Sequence, residues 1–168
     1  MTAPNALLTS NRQDYETPRQ LFEYIQTFLG VTFVVDFAAA DHNALCPLYY
    51  TAERSAFGVP WEVPQVCPNA AGWCNPPYGD KAHPVSEWFR QPLPHYNYVF
   101  LIPCNKMDQQ WVWDLRYRAA WVKIIGRVSF QLGGVPQRGN SQGSTLLCLG
   151  PHFNVGTTRY IELSEVFK

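Results

Sequence analysis

Asn75-Pro76-Pro77-Tyr78 is the stretch of this chain whose residue types suit chemistry best. It follows a short apolar run, Ala71 to Cys74, that reads as the end of a buried strand. An amide, two prolines and an aromatic ring at a strand's exit make a rigid cup with two hydrogen-bond acceptors and a π-face. Such a cup suits a planar group that carries an amine. The exocyclic nitrogen of adenine is a weak nucleophile, because its lone pair is delocalised into the ring. The Asn75 side-chain oxygen and the Pro76 carbonyl can accept both of its N–H bonds and localise electron density on nitrogen. Dipoles set in place beforehand then stabilise the charge that develops as nitrogen attacks a methyl group. Pro76 and Pro77 fix φ and remove two local donors that would compete for those acceptors. Tyr78 offers a face for stacking, which contributes ~1–3 kcal/mol per base. No strong general base is required, since the proton leaves after nitrogen has become cationic. The four residues specify a planar amino or amide acceptor, so adenine N6, cytosine N4 and a protein glutamine amide all remain open. A proline-stiffened turn with a packed tyrosine would use the same residues.

A methyl donor such as S-adenosylmethionine asks for a carboxylate near its ammonium and aromatic or acceptor groups near its sulfonium. Asp36 closes the β-branched and aromatic run Thr32-Phe33-Val34-Val35 and is followed by Phe37-Ala38-Ala39-Ala40. It supplies a carboxylate beside a backbone that small side chains leave approachable. Asp followed by alanines is also an ordinary helix start. The Gly-x-Gly turn common in methyltransferases is missing here. Glu53 is a candidate partner for ribose hydroxyls, with a solvated loop carboxylate as the plainer reading.

These residues need a frame. The chain has 168 residues, 46% hydrophobic and 15% aromatic, which is enough for one core and one domain. Residues 1–14 read as a flexible lead-in and 15–168 as the domain. Charged residues make up 15%, too few for a disordered chain. No apolar run approaches the ~20 residues of a membrane span, and the N-terminus lacks the basic start of a secretory signal. The five cysteines, at 46, 67, 74, 104 and 148, form no CxxC pair. They read as free thiols in a reducing, cytoplasmic setting without a metal site. Net charge is zero but unevenly spread: residues 1–90 carry nine acidic and five basic side chains, residues 106–138 two acidic and six basic. A basic segment beside an acidic half suits one polyanion-facing side, and equally a solvated surface.

Along the chain, Thr17 and Pro18 read as the N-cap and first position of a helix over 19–29, ended by Gly30. Residues 32–36 read as a strand and 37–44 as a tight turn entering a helix. Residues 51–70 read as irregular. Further strands are expected at 96–103, 122–130 and 144–149, with a last edge strand at 160–163. Helices are expected at 85–89 and at 108–118, the latter capped by Asp108. Residues 133–143 read as a mobile loop. The pattern predicts an α/β fold with a mostly parallel sheet and an antiparallel edge. Asp36 and Asn75 would then share the rim formed by the carboxyl ends of the strands, where such sheets bind ligands.

The ordered set of motifs resembles the phage-encoded DNA N6-adenine methyltransferases, the small Dam-like group. The matching pieces run from Tyr15 to Gly150: Glu16-Thr17-Pro18; Val35-Asp36-Phe37-Ala38-Ala39; Tyr49-Tyr50-Thr51 with Glu53; Trp61; Trp73-Cys74-Asn75-Pro76-Pro77-Tyr78-Gly79; Leu101-Ile102-Pro103; and Gly126-Arg127-Val128-Ser129-Phe130. Cys104 to Met107 and Ser55 depart from the family's usual residues. The resemblance implies a Rossmann-like, S-adenosylmethionine-dependent sheet and methyl transfer to adenine N6 in DNA, on a base drawn out of the stack. It implies a catalytic cup of Asn75, Pro76, Pro77 and Tyr78, and a cofactor wall of Thr17, Pro18, Asp36, Phe37 and Ala38. Phosphate contacts are expected from Lys123, Arg127 and Arg138. A methyltransferase on cytosine N4 or a glutamine amide, or a non-catalytic DNA-binding relative, remains the alternative.

Overall fold

The computed structural model describes residues 15–78, 82–137, 140 and 142–168. The chain folds around a seven-stranded sheet. Its strands are β1 (Thr32–Asp36), β2 (Leu48–Tyr49), β3 (Ala70–Cys74), β4 (Asn97–Pro103), β5 (Ala119–Ile125), β8 (Ser144–Leu149) and β9 (Thr158–Glu162), in the spatial order β2-β1-β3-β4-β8-β5-β9. Strands β6 (Gln131–Leu132) and β7 (Val135–Pro136) form a separate hairpin. The neighbours β2, β1, β3 and β4 pair in parallel. Strand β8 runs antiparallel to both of its neighbours, and β9 pairs in parallel with β5 as the outer edge. Antiparallel pairing therefore falls in the β4-β8-β5 part of the expected mostly parallel sheet. The chain leaves β5, makes the hairpin and returns as β8, a reversal that needs no crossover helix.

Helix α1 (Arg19–Leu29) packs one face of the sheet through Leu21, Phe22, Ile25 and Leu29, with α4 (Leu163–Val166) beside it. Gly30 ends α1 at φ 68°, a left-handed conformation glycine adopts without a Cβ clash. The other face is covered by the long irregular segment after β2, by α2 (Val85–Trp88) and by α3 (Gln110–Asp114). That segment carries Ala56, Trp61 and Val63 into the core. Trp61 stacks on Phe37, with ring centroids 4.1 Å apart and planes 2° apart. Its indole N–H donates to the Ala56 carbonyl at 3.0 Å, and its own carbonyl accepts from the Tyr98 hydroxyl.

Several expectations change. Thr17 does not cap α1: Pro18 holds the N-cap position, and the Thr17 hydroxyl turns toward Asn75. Residues 37–44 do not lead into a helix. Tyr50 N–H donates to the Asp36 carbonyl and Ala39 N–H to the Tyr50 carbonyl, which extends the sheet edge. The Asn43 side chain takes the Ala40 N–H at 2.7 Å, a local bond that competes with helix formation. Helix α3 is shorter than 108–118 and begins after Gln109, while Asp108 accepts from the Gln109 side chain instead of capping the helix. Strand β5 starts at Ala119 and stops before Gly126, whose φ is 111°. Part of the loop expected at 133–143 is the β6–β7 hairpin.

Candidate active site

The parallel strands β1, β3 and β4 end on one rim, which brings Asp36, Asn75 and Cys104 to the same side of the molecule. In register, Asp36 pairs with Trp73, two residues before Asn75. All five residues of β3 are buried, so the chain leaves the core directly at Asn75. Pro76 is buried as well, while Asn75, Pro77 and Tyr78 are partly exposed.

The Asn75 amide nitrogen donates to the Tyr15 carbonyl at 3.4 Å and to the Thr17 hydroxyl at 3.5 Å. A backbone carbonyl only accepts, so this contact decides which way the amide faces. The Asn75 side-chain oxygen and the Pro76 carbonyl accept no hydrogen bond from any described residue. Tyr78 donates its hydroxyl to the Leu101 carbonyl on β4. Burial, with Cys74 nearby, raises its pKa well above the usual phenol value, so it is a held, neutral ring. Among the described residues no aromatic ring packs on Tyr78 within stacking geometry.

Asp36 is 3% exposed, and among the described residues no cation pairs with it. Burial pushes its pKa up from 3.8 to about 7, against the pull of backbone N–H groups from Ala38 and Leu45. The Ala38 bond is 3.0 Å long. The thiols of Cys46 and Cys74 are raised by burial first and by the nearby Asp36 carboxylate second. A buried carboxylate without a counter-cation is costly to ionise, which is why its pKa rises.

The family model for "DNA N-6-adenine-methyltransferase (Dam)" matches residues 5–162. The chain belongs to this family. It is an adenine-specific DNA methyltransferase, and the cytosine and glutamine alternatives give way to adenine N6. It is also similar to "Putative methyltransferase YfdM" of Escherichia coli (strain K12), with 38% identity over 64 residues, covering 38% of this chain and 69% of that protein.

The remaining expected residues of this adenine methyltransferase are placed unequally. Thr17 and Pro18 are buried beside Asn75. Phe37 is 1% exposed, lies parallel to Tyr50 and stacks on Trp61, so it supports the rim from inside the core. Ala38 is partly exposed next to Asp36. Arg127 is exposed and lies just past the end of β5 on the same rim; its guanidinium reaches within 2.9 Å of where a Cβ on Gly143 would sit. Lys123 is exposed in the middle of β5, on the sheet face rather than the rim. Arg138 lies outside the described residues, as does the segment expected as a lead-in. Sequence reasoning gave Tyr15 no role and quoted Tyr50 only among the residues that carry the resemblance. Tyr15 acts through its carbonyl, which leaves no residue signature. Tyr50 follows a two-residue strand too short for any periodicity.

A second cleft, lined by Val122, Cys148, His152, Asn154 and Arg159, opens at the opposite ends of the strands. Two of its polar side chains close α1: Arg159 donates to the Phe28 carbonyl at 3.1 Å, and a His152 ring nitrogen lies 2.9 Å from the Leu29 carbonyl. Among the described residues no group of three or more His, Cys, Asp or Glu is arranged to hold a metal, and no helix is long and apolar enough to cross a membrane.

Proposed function

We propose that Asn75, Pro76, Pro77 and Tyr78 hold the target adenine, and that Thr17, Pro18, Asp36, Phe37 and Ala38 hold S-adenosylmethionine beside it. The observation that carries this reading is the orientation of Asn75. Its amide nitrogen is engaged by Tyr15 and Thr17, and among the described residues nothing donates to its oxygen or to the Pro76 carbonyl. Two acceptors match the two N–H bonds of the adenine amino group. The Tyr78 ring, anchored through its hydroxyl, gives the flipped base a face to stack on.

The rim also fits the cofactor. Among the described residues no cation pairs with the buried Asp36 carboxylate, and the ammonium of S-adenosylmethionine supplies one. Small residues from Ala38 to Ala40 keep the adjoining backbone approachable. When bound, S-adenosylmethionine supplies an electrophilic methyl group on a sulfonium. The chain's own contribution is to draw electron density onto N6 and to hold it in line, an orientation effect that supplies ~7–11 kcal/mol in favourable cases. Lys123, Arg127 and Arg138 contact backbone phosphates and position the duplex without reading its sequence. Cytoplasm, where DNA and reduced thiols coexist, is the proposed setting.

The test is calorimetric titration of the protein with S-adenosylmethionine, followed by transfer of a labelled methyl group into duplex DNA and nucleoside analysis. Binding, with label in N6-methyldeoxyadenosine alone, is the expected result. Absence of cofactor binding, or label confined to cytosine or protein, contradicts the proposal.

A further inference from the structure

Residues Tyr15 to Thr17 run as an extended segment across the rim, and its two sides grip different things. Glu16 forms an antiparallel bridge with Gln131 on the β6–β7 hairpin, through two backbone hydrogen bonds of 2.9 Å each. Its carboxylate then reaches the tip of that hairpin. One oxygen accepts from Gly133 N–H at 3.0 Å and the other from Gly134 N–H at 3.1 Å. Both glycines have positive φ, 57° and 76°, as a two-residue hairpin turn requires. Successive backbone N–H groups in such a turn make a small anion cradle, and Glu16 fills it. The side chain is 12% exposed, with His42 3.7 Å away.

The flanking residues face the cup. The Tyr15 carbonyl and the Thr17 hydroxyl are the two groups that hold the Asn75 amide nitrogen. Side chains of an extended segment alternate in direction, so Glu16 and Thr17 project to opposite sides. The same three residues thus join the hairpin to the side chain that grips the base.

We propose that Glu16 is a positioning residue for methyl transfer: by docking the Gly133–Gly134 turn, its carboxylate holds the Tyr15–Thr17 segment that fixes the Asn75 amide. The inference rests on the role proposed for Asn75. Charge-assisted bonds to two backbone N–H groups are the stronger class of hydrogen bond, and only a carboxylate offers two acceptor oxygens in that spacing. Glutamine keeps one acceptor, and alanine keeps none.

The experiment compares wild type with Glu16→Gln and Glu16→Ala, reading kcat and KM on duplex DNA together with the NMR signals of the Asn75 side-chain NH2 and the Gly133 and Gly134 amides. In Glu16→Ala, kcat falls about tenfold or more while KM for the cofactor changes less than about threefold. The Asn75 NH2 signals shift and exchange faster in the same variant. Glu16→Gln lies between alanine and wild type in both readouts. If Gly133 and Gly134 are released but the Asn75 signals and kcat stay at wild-type values, the inference is overturned. Should alanine prevent folding, the glutamine variant decides by the same two readouts. Wild-type protein that transfers no methyl group would sink the reading of Asn75, while the Asn75 signals would still report whether Glu16 holds that amide.

Discussion

Asn75 and Asp36 stand at the ends of adjacent strands, yet their environments oppose each other. Asn75 is partly exposed, with its amide nitrogen engaged and, among the described residues, no donor to its oxygen. Asp36 is enclosed, and among the described residues no cation pairs with it. The consequence for Asp36 is a pH-dependent instability. Its pKa rises from 3.8 to about 7 on folding, so between those values the folded chain keeps a proton that the unfolded chain has released. Stability therefore falls as pH rises through that window and stays lowered above it. We expect Asp36→Asn to stabilise the cofactor-free protein at pH 8 by at most about 4 kcal/mol, and to have little effect near pH 4. The same change should weaken S-adenosylmethionine binding by about tenfold or more, since a neutral amide cannot pair with an ammonium. Denaturant melts at the two pH values and calorimetry check both halves. At this scale the sequence was most informative about Asn75, because two prolines restrict the turn and leave the amide few roles. It was less informative about Thr17, whose hydroxyl had a local use as a helix cap and a distant use at Asn75; only the fold decides between them.

Strand β3 shows how an element serves the site from within. Gly72 lies under the aromatic stack, where a Cβ would come within 2.5 Å of Phe37 and 3.1 Å of Tyr98. Phe37 is held in turn against Trp61. Gly72→Ala should push Phe37 off that position and disturb the backbone of Asp36 beside it. We expect a loss of ~1–3 kcal/mol by chemical denaturation, with a larger proportional loss of cofactor affinity than of DNA affinity. The longer strands were legible: β1 and β8 coincide with the runs 32–36 and 144–149, because strands buried in the sheet are rich in apolar and β-branched residues. β2, β6 and β7 have two residues each and carry no periodicity to read. The α3 helix was overestimated, because Trp111 and Leu115 suit a helical stripe but residues 115–118 curl into a turn instead.

For the whole molecule, the alternation of strands and helices predicted a mostly parallel sheet with Asp36 and Asn75 on one rim, and that much followed from local patterns. The place of β8 between β4 and β5 did not, because strand order depends on long-range pairing that no local run encodes. Charge followed a similar division. The basic segment 106–138 was visible in the sequence, but the fold sends its members to different places, with Arg127 on the rim and Lys123 on the open sheet face. This separates two outcomes. Each phosphate contact removed reduces the slope of log K against log salt by ~0.9. Arg127→Ala and Lys123→Ala should each show that reduction if both side chains touch the duplex, measured by DNA binding across a salt series. An unchanged slope for Lys123→Ala would restrict the DNA path to the rim.

The account depends most on the Asn75 oxygen and the Pro76 carbonyl acting together on one amine. The most direct measurement is the rate of N6-methyladenine formation in duplex DNA by Asn75→Ala, alongside wild type, with circular dichroism to verify the fold. Removing one preorganised dipole should lower kcat by a factor on the order of 10²–10³ in a folded protein that still binds S-adenosylmethionine. A folded Asn75→Ala variant that methylates adenine at the wild-type rate would contradict the account.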